Sequence, residues 1–136
     1  MSCVLRVSGK YFDVDAFLKK SNLAALAVFR LGEPKSMNNP RRRNLQSSVN
    51  IDVSKASFDN VKRQVKDAII FLTDNKTEIK RLMKFKGVEG AELDFATQKH
   101  DTFLQEVEFP SELIALAGSL GLSIKLSQYP EPKDEK

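Results

Sequence analysis

The sequence predicts an α+β domain, and three observations carry that prediction. Several short stretches alternate apolar and polar residues with a period of two, longer stretches repeat apolar residues at helical spacing, and the two kinds follow one another along the chain. At 136 residues the chain has the length of one domain. A chain of that size buries roughly two-thirds of its unfolded surface.

Cys3, Leu5 and Val7 share one face of a first strand over residues 3–7, with Val4 and Arg6 on the other, and Ser8-Gly9 ends it. Asp13 offers a side-chain oxygen to the free N–H groups of a helix start, and Val14, Phe17 and Leu18 form the apolar stripe of a short helix reaching about Ser21. Residues 26–31 are an apolar run bounded by Gly32 and Pro34, which reads as a second strand. From Gly32 to Gln46 there is no apolar periodicity, so this segment is expected to be a long loop, and loops of that length are functional or mobile. Val49, Ile51 and Val53 then alternate with Ser48, Asn50 and Asp52 to give the clearest strand.

Ser57 is placed to cap the longest helix, whose buried face is Phe58, Val61, Val65, Ala68, Ile69 and Leu72. Asp74-Asn75 interrupts it, and Thr77 can cap a shorter helix bearing Ile79, Leu82 and Met83. Alternation over 91–95 and again over 103–109 predicts two strands joined as a hairpin through 97–101. Pro110 suits the first turn of a further helix with Leu113, Ile114, Ala117 and Leu120 on its apolar face, and Gly121 is available as a left-handed cap. Leu122, Ile124 and Leu126 mark a last strand.

The resulting order is βαβ-βαβ-βαβ, whose first two units match the split arrangement of a ferredoxin-like sheet packed against helices. The expected organisation is one α+β domain over residues 1–129 and a disordered, solvated tail over 130–136, with no internal repeat.

Hydrophobic residues at 41% and charged residues at 29%, with 6 Gly and 5 Pro, exclude collagen-like, low-complexity and fully disordered chains. No stretch approaches the ~20 apolar residues needed to cross a bilayer, so no membrane association is expected. The first residues lack the apolar core of a signal peptide, and the one cysteine fits a reducing compartment, so a cytoplasmic location is expected. The net charge of +4 is modest, but its placement is uneven: Glu33, Lys35, Arg41, Arg42 and Arg43 are the charged residues between positions 33 and 46, and they contribute +3 of it.

Catalytic chemistry finds little support. His100 is the lone imidazole; its neighbour Asp101 would not face it, and a solvated turn explains Lys99-His100-Asp101 equally. Cys3 falls on the inner face of its strand, where a thiol behaves as a small buried hydrophobe with a raised pKa. Ser8-Gly9-Lys10 lacks the spacing of a phosphate loop, and the glycines at 87, 90, 118 and 121 lack that of a dinucleotide site. Carboxylates two apart, as in Asp13 and Asp15, Glu92 and Asp94, or Glu106 and Glu108, read as solvated faces. No catalytic residue, metal site or cofactor is therefore expected.

Lys35, Arg41, Arg42 and Arg43 are the candidate partner- or anion-binding residues, because guanidinium groups pair bidentately with carboxylate or phosphate. A solvated loop, a contact to a protein or acidic ligand, and a nucleic-acid contact are the three readings. Residues 32–46 contain no aromatic side chain for base stacking.

Residues 109–129, Phe-Pro-Ser-Glu-Leu-Ile-Ala-Leu-Ala-Gly-Ser-Leu-Gly-Leu-Ser-Ile-Lys-Leu-Ser-Gln-Tyr, place a helix at a proline and a strand directly after it, ending in Ser-x-Tyr. This run resembles the DUF4279 family of small bacterial proteins of unknown function, and the preceding β-α-β units fit that family's order. The resemblance implies a ferredoxin-like α+β fold and a bacterial origin, and transfers no catalytic residue. Some relatives look like immunity or partner-binding proteins, a link by association.

The function expected from the sequence is a non-enzymatic, immunity-like protein-binding module that presents the 32–46 segment and a sheet edge or face to an unidentified protein. The alternatives are a nucleic-acid binder using the same arginines, and a small-ligand or enzymatic domain with a cleft near Asp94 and His100. Nothing in the sequence fixes the oligomeric state.

Overall fold

A computed structural model describes residues 1–131. It is an α+β domain with a five-stranded mixed sheet, a separate two-stranded sheet and four helices. Along the chain the elements are β1 (Cys3–Gly9), α1 (Val14–Leu18), β2 (Ala25–Phe29), β3 (Pro34–Ser36), β4 (Asn39–Arg43), β5 (Ser47–Ser54), α2 (Val61–Asp74), α3 (Lys76–Met83), β6 (Gly90–Lys99), α4 (Ser111–Ser119) and β7 (Ser123–Pro130).

The main sheet has the order β2-β5-β1-β6-β7. β5 runs antiparallel to both β1 and β2, β6 runs antiparallel to β1, and β7 lies parallel beside β6. The α1 crossover therefore joins two like-directed strands with β5 between them, and the α2-α3 crossover joins two with β1 between them. α4 makes the short step from β6 to its parallel neighbour β7, the connection a helix can supply.

One face of the sheet is dry. Leu5, Val7, Val49, Ile51, Leu93 and Phe95 meet Val14 and Phe17 of α1, Val65, Ala68 and Leu72 of α2, Ile79 and Leu82 of α3, and Leu113 and Ala117 of α4 in one cluster. Burying a single side chain of this size is worth about 1.5–3 kcal/mol, which is why the period-two and helical stripes in the sequence mark this core so directly. Phe85 adds edge-to-face contacts with Phe12 and Phe17, at centroid distances of 6.0 and 5.4 Å. The opposite face carries Arg6, Ser8, Ser48, Asn50, Glu92 and Lys125, and none of the helices among the described residues packs on it.

Asp13 caps α1 by accepting the Ala16 N–H at 3.0 Å, as its position indicates. α4 ends in a Schellman turn: the Leu122 N–H donates to the Ala117 carbonyl at 2.9 Å, the Gly121 N–H to the Gly118 carbonyl at 3.0 Å, and Gly121 takes φ 77°. The break at Asn75 also stands, with α2 and α3 meeting there.

Thr77 lies inside α3 and does not cap it, since the helix begins at Lys76 after Asn75. Four further expectations need correction. First, residues 103–109 are not a strand and 97–101 is not a hairpin turn. β6 continues unbroken to Lys99, and the following segment crosses beside α2, so the last β-α-β unit begins with β6. Its alternation reports an extended backbone whose alternate side chains are used differently: the Gln105 amide donates to the Gln98 carbonyl at 2.7 Å and accepts the His100 N–H at 3.0 Å, while Phe109 packs on Phe95 at 5.0 Å.

Second, residues 32–46 are not an irregular loop but contain the β3-β4 hairpin. Third, α2 is capped by Asn60, whose side chain accepts the Arg63 N–H at 3.1 Å; Ser57 instead closes the preceding turn, where its carbonyl accepts the Asn60 N–H at 2.9 Å. Fourth, the stretch assigned to the tail begins with Pro130 still in β7, while residues 132–136 lie outside those described.

Candidate functional site: a basic hairpin beside the open sheet face

The segment between β2 and β5 is anchored at its base. The Gly32 N–H donates to the Asn44 carbonyl and the Asn44 N–H to the Glu33 carbonyl, both at 2.9 Å, while the Leu31 N–H donates to the Ser47 hydroxyl at 3.0 Å. Gly32 sits at φ 81°, a left-handed conformation that costs glycine nothing. Arg43 Nη1 donates to the Gly32 carbonyl at 3.0 Å, and the Asn44 amide donates to the Arg30 carbonyl at 3.0 Å. Above this base β3 pairs with β4 through Pro34 opposite Arg43 and Ser36 opposite Asn39.

Lys35, Arg41, Arg42 and Arg43 are all exposed along this hairpin, and Met37 at its tip is 99% exposed. The sequence placed these four cations in one segment, and the structure brings them onto one projecting element.

The pairing of the arginines separates this element from the rest of the chain. Every arginine outside it has a carboxylate: Arg6 pairs with Asp94, Arg30 with Asp15 at 2.8 Å, Arg63 with Asp67 at 3.1 Å and Arg81 with Glu78 at 2.5 Å. Among the described residues, none of Arg41, Arg42, Arg43 or Lys35 has a carboxylate within 4.0 Å. Arg30 donates from Nε and Nη2 to the two carboxylate oxygens of Asp15, which lowers the Asp15 carboxyl below its ordinary pKa chiefly through that hydrogen bonding. The hairpin guanidiniums therefore remain open to an external anion.

Where the hairpin joins the sheet, a depression of about 460 Å³ is lined by Lys35, Phe29, Leu45, Asn44, Gln46 and Ser48. Gln46 and Ser48 also line a second depression of about 390 Å³ on the open sheet face, together with Arg6, Ser8, Asn50 and Glu92. The two share Gln46 and Ser48 as lining residues, and together they make a shallow trough from the hairpin base onto the open face of β5 and β1. Sequence periodicity separated the two faces of each strand, but the register that makes this trough is not visible in a one-dimensional pattern.

The other candidates resolve as follows. His100 does not occupy a hairpin tip, and Asp101 is not its partner; its ring nitrogens face Glu131 and, at 3.0 Å, Asp59. Those two hydrogen bonds, Glu131's the larger, raise its pKa above the ordinary imidazole value. Asp94 is not a solvated carboxylate: it is 4% exposed, pairs with Arg6 and accepts the Ser127 hydroxyl at 2.6 Å. Asp94 and His100 belong to these separate clusters, so they build no common cleft. Cys3 is fully buried, as expected, and burial first, with the Asp94, Asp52 and Asp67 charges after it, pushes its thiol far up. Among the described residues, no group of three or more His, Cys, Asp or Glu side chains is placed to hold a metal ion. No helix of the described residues is long and apolar enough to cross a membrane.

Fold and site together define a class: a one-sided α+β sheet domain with a basic hairpin inserted between two strands of the sheet. The chain belongs to the DUF4279 family, described as a domain of unknown function, whose family model matches residues 1–131. No curated protein and no solved structure matches the chain.

Proposed function

We propose that this chain is a non-enzymatic protein-binding module, immunity-like in role, that engages its partner through the β3-β4 hairpin. The observation that carries the reading is the pairing contrast: among the described residues, four arginines are tied to carboxylates, and the three adjacent ones on the hairpin are not. A cluster of unpaired guanidiniums repels itself and does not help folding, so its place on an element that the core does not need supports a role in contact. The exposed aliphatic side chains of Met37 and Leu45 beside it suit a protein surface, and the absence of aromatics from 32–46 disfavours base stacking.

The non-enzymatic part is supported by the fate of the reactive groups. The one imidazole is engaged by two carboxylates, and the one thiol is buried with its pKa raised. A ferredoxin-like description of β1 to β6 is supported by the two crossovers that each span one strand, with β7 as an addition. A reduced, buried Cys3 fits the cytoplasm of a bacterial cell.

The test is an affinity capture from nuclease-treated lysate of the native host, comparing the wild type with the Arg41→Glu, Arg42→Glu, Arg43→Glu triple variant at low and moderate salt. The reading requires a stoichiometric protein retained by the wild type and lost by the variant, with unchanged thermal midpoints for both. Equal retention, or no protein retained by either, contradicts it. Nucleic acid recovered without nuclease treatment, with affinity falling steeply as salt rises, would favour the alternative.

A further inference from the structure

Resting on the protein-binding reading, we infer that the hairpin and the depression at its base recognise an acidic segment of the partner in which an apolar side chain is flanked by carboxylates. The depression has two kinds of wall. Lys35 supplies a cation with no carboxylate within 4.0 Å among the described residues, and Phe29 and Leu45 supply apolar surface. Leu45 is 79% exposed, more than a leucine retained for packing would be.

On the same hairpin, Arg41 and Arg42 are exposed on the two faces of β4 and add positive charge, and Arg43, although anchored to the Gly32 carbonyl by Nη1, has other N–H groups to donate. Charge complementarity therefore calls for carboxylates at the hairpin and beside Lys35. The apolar walls call for one aliphatic side chain between them. A phosphate backbone satisfies the first requirement and not the second, so an acidic peptide fits both.

The trough continues past Gln46 and Ser48 toward Arg6, but Arg6 is committed to Asp94 and Glu92 lies 3.8 Å from Lys125. The positive potential thus falls off along the trough, which assigns the carboxylates to its hairpin end. The remainder offers hydroxyl and amide groups to a neutral stretch of chain.

The probe is a terminally blocked Glu-Glu-Leu-Glu-Glu peptide titrated into isotope-labelled protein at ~0.15 M salt, with its glutamine analogue and an oligothymidylate of equal charge beside it. Shifts are expected at Lys35, Leu45 and Met37, with affinity falling about tenfold or more in the triple arginine-to-glutamate variant and severalfold in Leu45→Ser, whose side chain the core does not use. Equal binding of the glutamine analogue, tighter binding of the oligonucleotide, or shifts confined to other residues would overturn the inference. If the peptide fails while a lysate protein is still lost by the triple variant, the acidic chemistry is wrong and the protein-binding reading stands. Peptide binding at the hairpin with no captured protein leaves the recognition chemistry in place and removes that reading.

Discussion

Arg6 and Asp94 form an ion pair between β1 and β6 on the open face of the sheet, and the two members are unequally placed. The Arg6 side chain is 38% exposed and Asp94 is almost completely enclosed. Losing Asp94 leaves a guanidinium that water can reach, whereas losing Arg6 leaves a buried carboxylate with one hydroxyl, that of Ser127. We therefore expect Arg6→Ala to destabilise by about 2–3 kcal/mol and Asp94→Ala by less, read from urea unfolding midpoints. The reverse order would show that the carboxylate is better hydrated than its burial indicates.

Gly9 and Gly87 meet backbone to backbone where the turn before β6 crosses the end of β1. A Cβ on Gly9 would lie 1.8 Å from the Gly87 carbonyl oxygen, and one on Gly87 would lie 2.3 Å from that of Tyr11. Either alanine substitution is expected to cost about 3 kcal/mol or more, because backbone and not a side chain must move. Gly118 offers a contrast: in α4 nothing lies within 4 Å of its added Cβ, and Gly118→Ala should stabilise by roughly 0.5–1 kcal/mol through helix propensity. Thermal denaturation of the three variants checks both signs.

His100 should titrate above pH 6.5, because donating its ring N–H groups to the Glu131 and Asp59 carboxylates favours the imidazolium. A group whose pKa is raised on folding contributes stability that is fully present below its unfolded value, near pH 6.5, and is lost as pH rises through the folded value. Folding stability should thus decline over that interval in the wild type, and the decline should be absent in His100→Gln. Asp59→Asn should lower the imidazole midpoint followed by proton NMR. An unchanged midpoint in that variant would remove Asp59 from the cluster.

Cys3 should resist thiol reagents in the native protein. It is enclosed by the core, and its raised pKa leaves little thiolate at neutral pH. Labelling by a disulfide reagent should proceed at the rate of global or sub-global opening and become fast in denaturant. Fast labelling without denaturant would show that the end of β1 opens readily.

What the sequence disclosed and what it withheld follow from one physical cause. Hydrophobic periodicity reports burial, so β1, β5 and α2, which each bury one face, were legible, as was the left-handed cap at Gly121. The β3-β4 hairpin buries neither face; backbone pairing of Pro34–Ser36 with Asn39–Arg43 makes it, and no apolar alternation accompanies such pairing. The opposite error occurred over 103–109, where alternation arose without a sheet partner.

Long-range polar contacts were equally invisible. Gln64 is fully buried on α2, where its amide donates to the Ala96 carbonyl at 2.7 Å and accepts at 3.2 Å from the Ala96 N–H, which also donates to the Ser2 carbonyl at 2.8 Å, just past the last pair of β6 with β1. The four candidate cations were found by composition. That none of them has a carboxylate partner among the described residues, whereas the arginines outside the hairpin do, required the partners' positions.

The most direct test of the central claim is hydrogen–deuterium exchange of the protein with and without its captured partner. Docking through the hairpin requires new protection over residues 32–46 and the adjoining ends of β2 and β5, with the helical face unchanged. Protection confined to α2 and α4, with the hairpin exchanging as it does in the free protein, would contradict it.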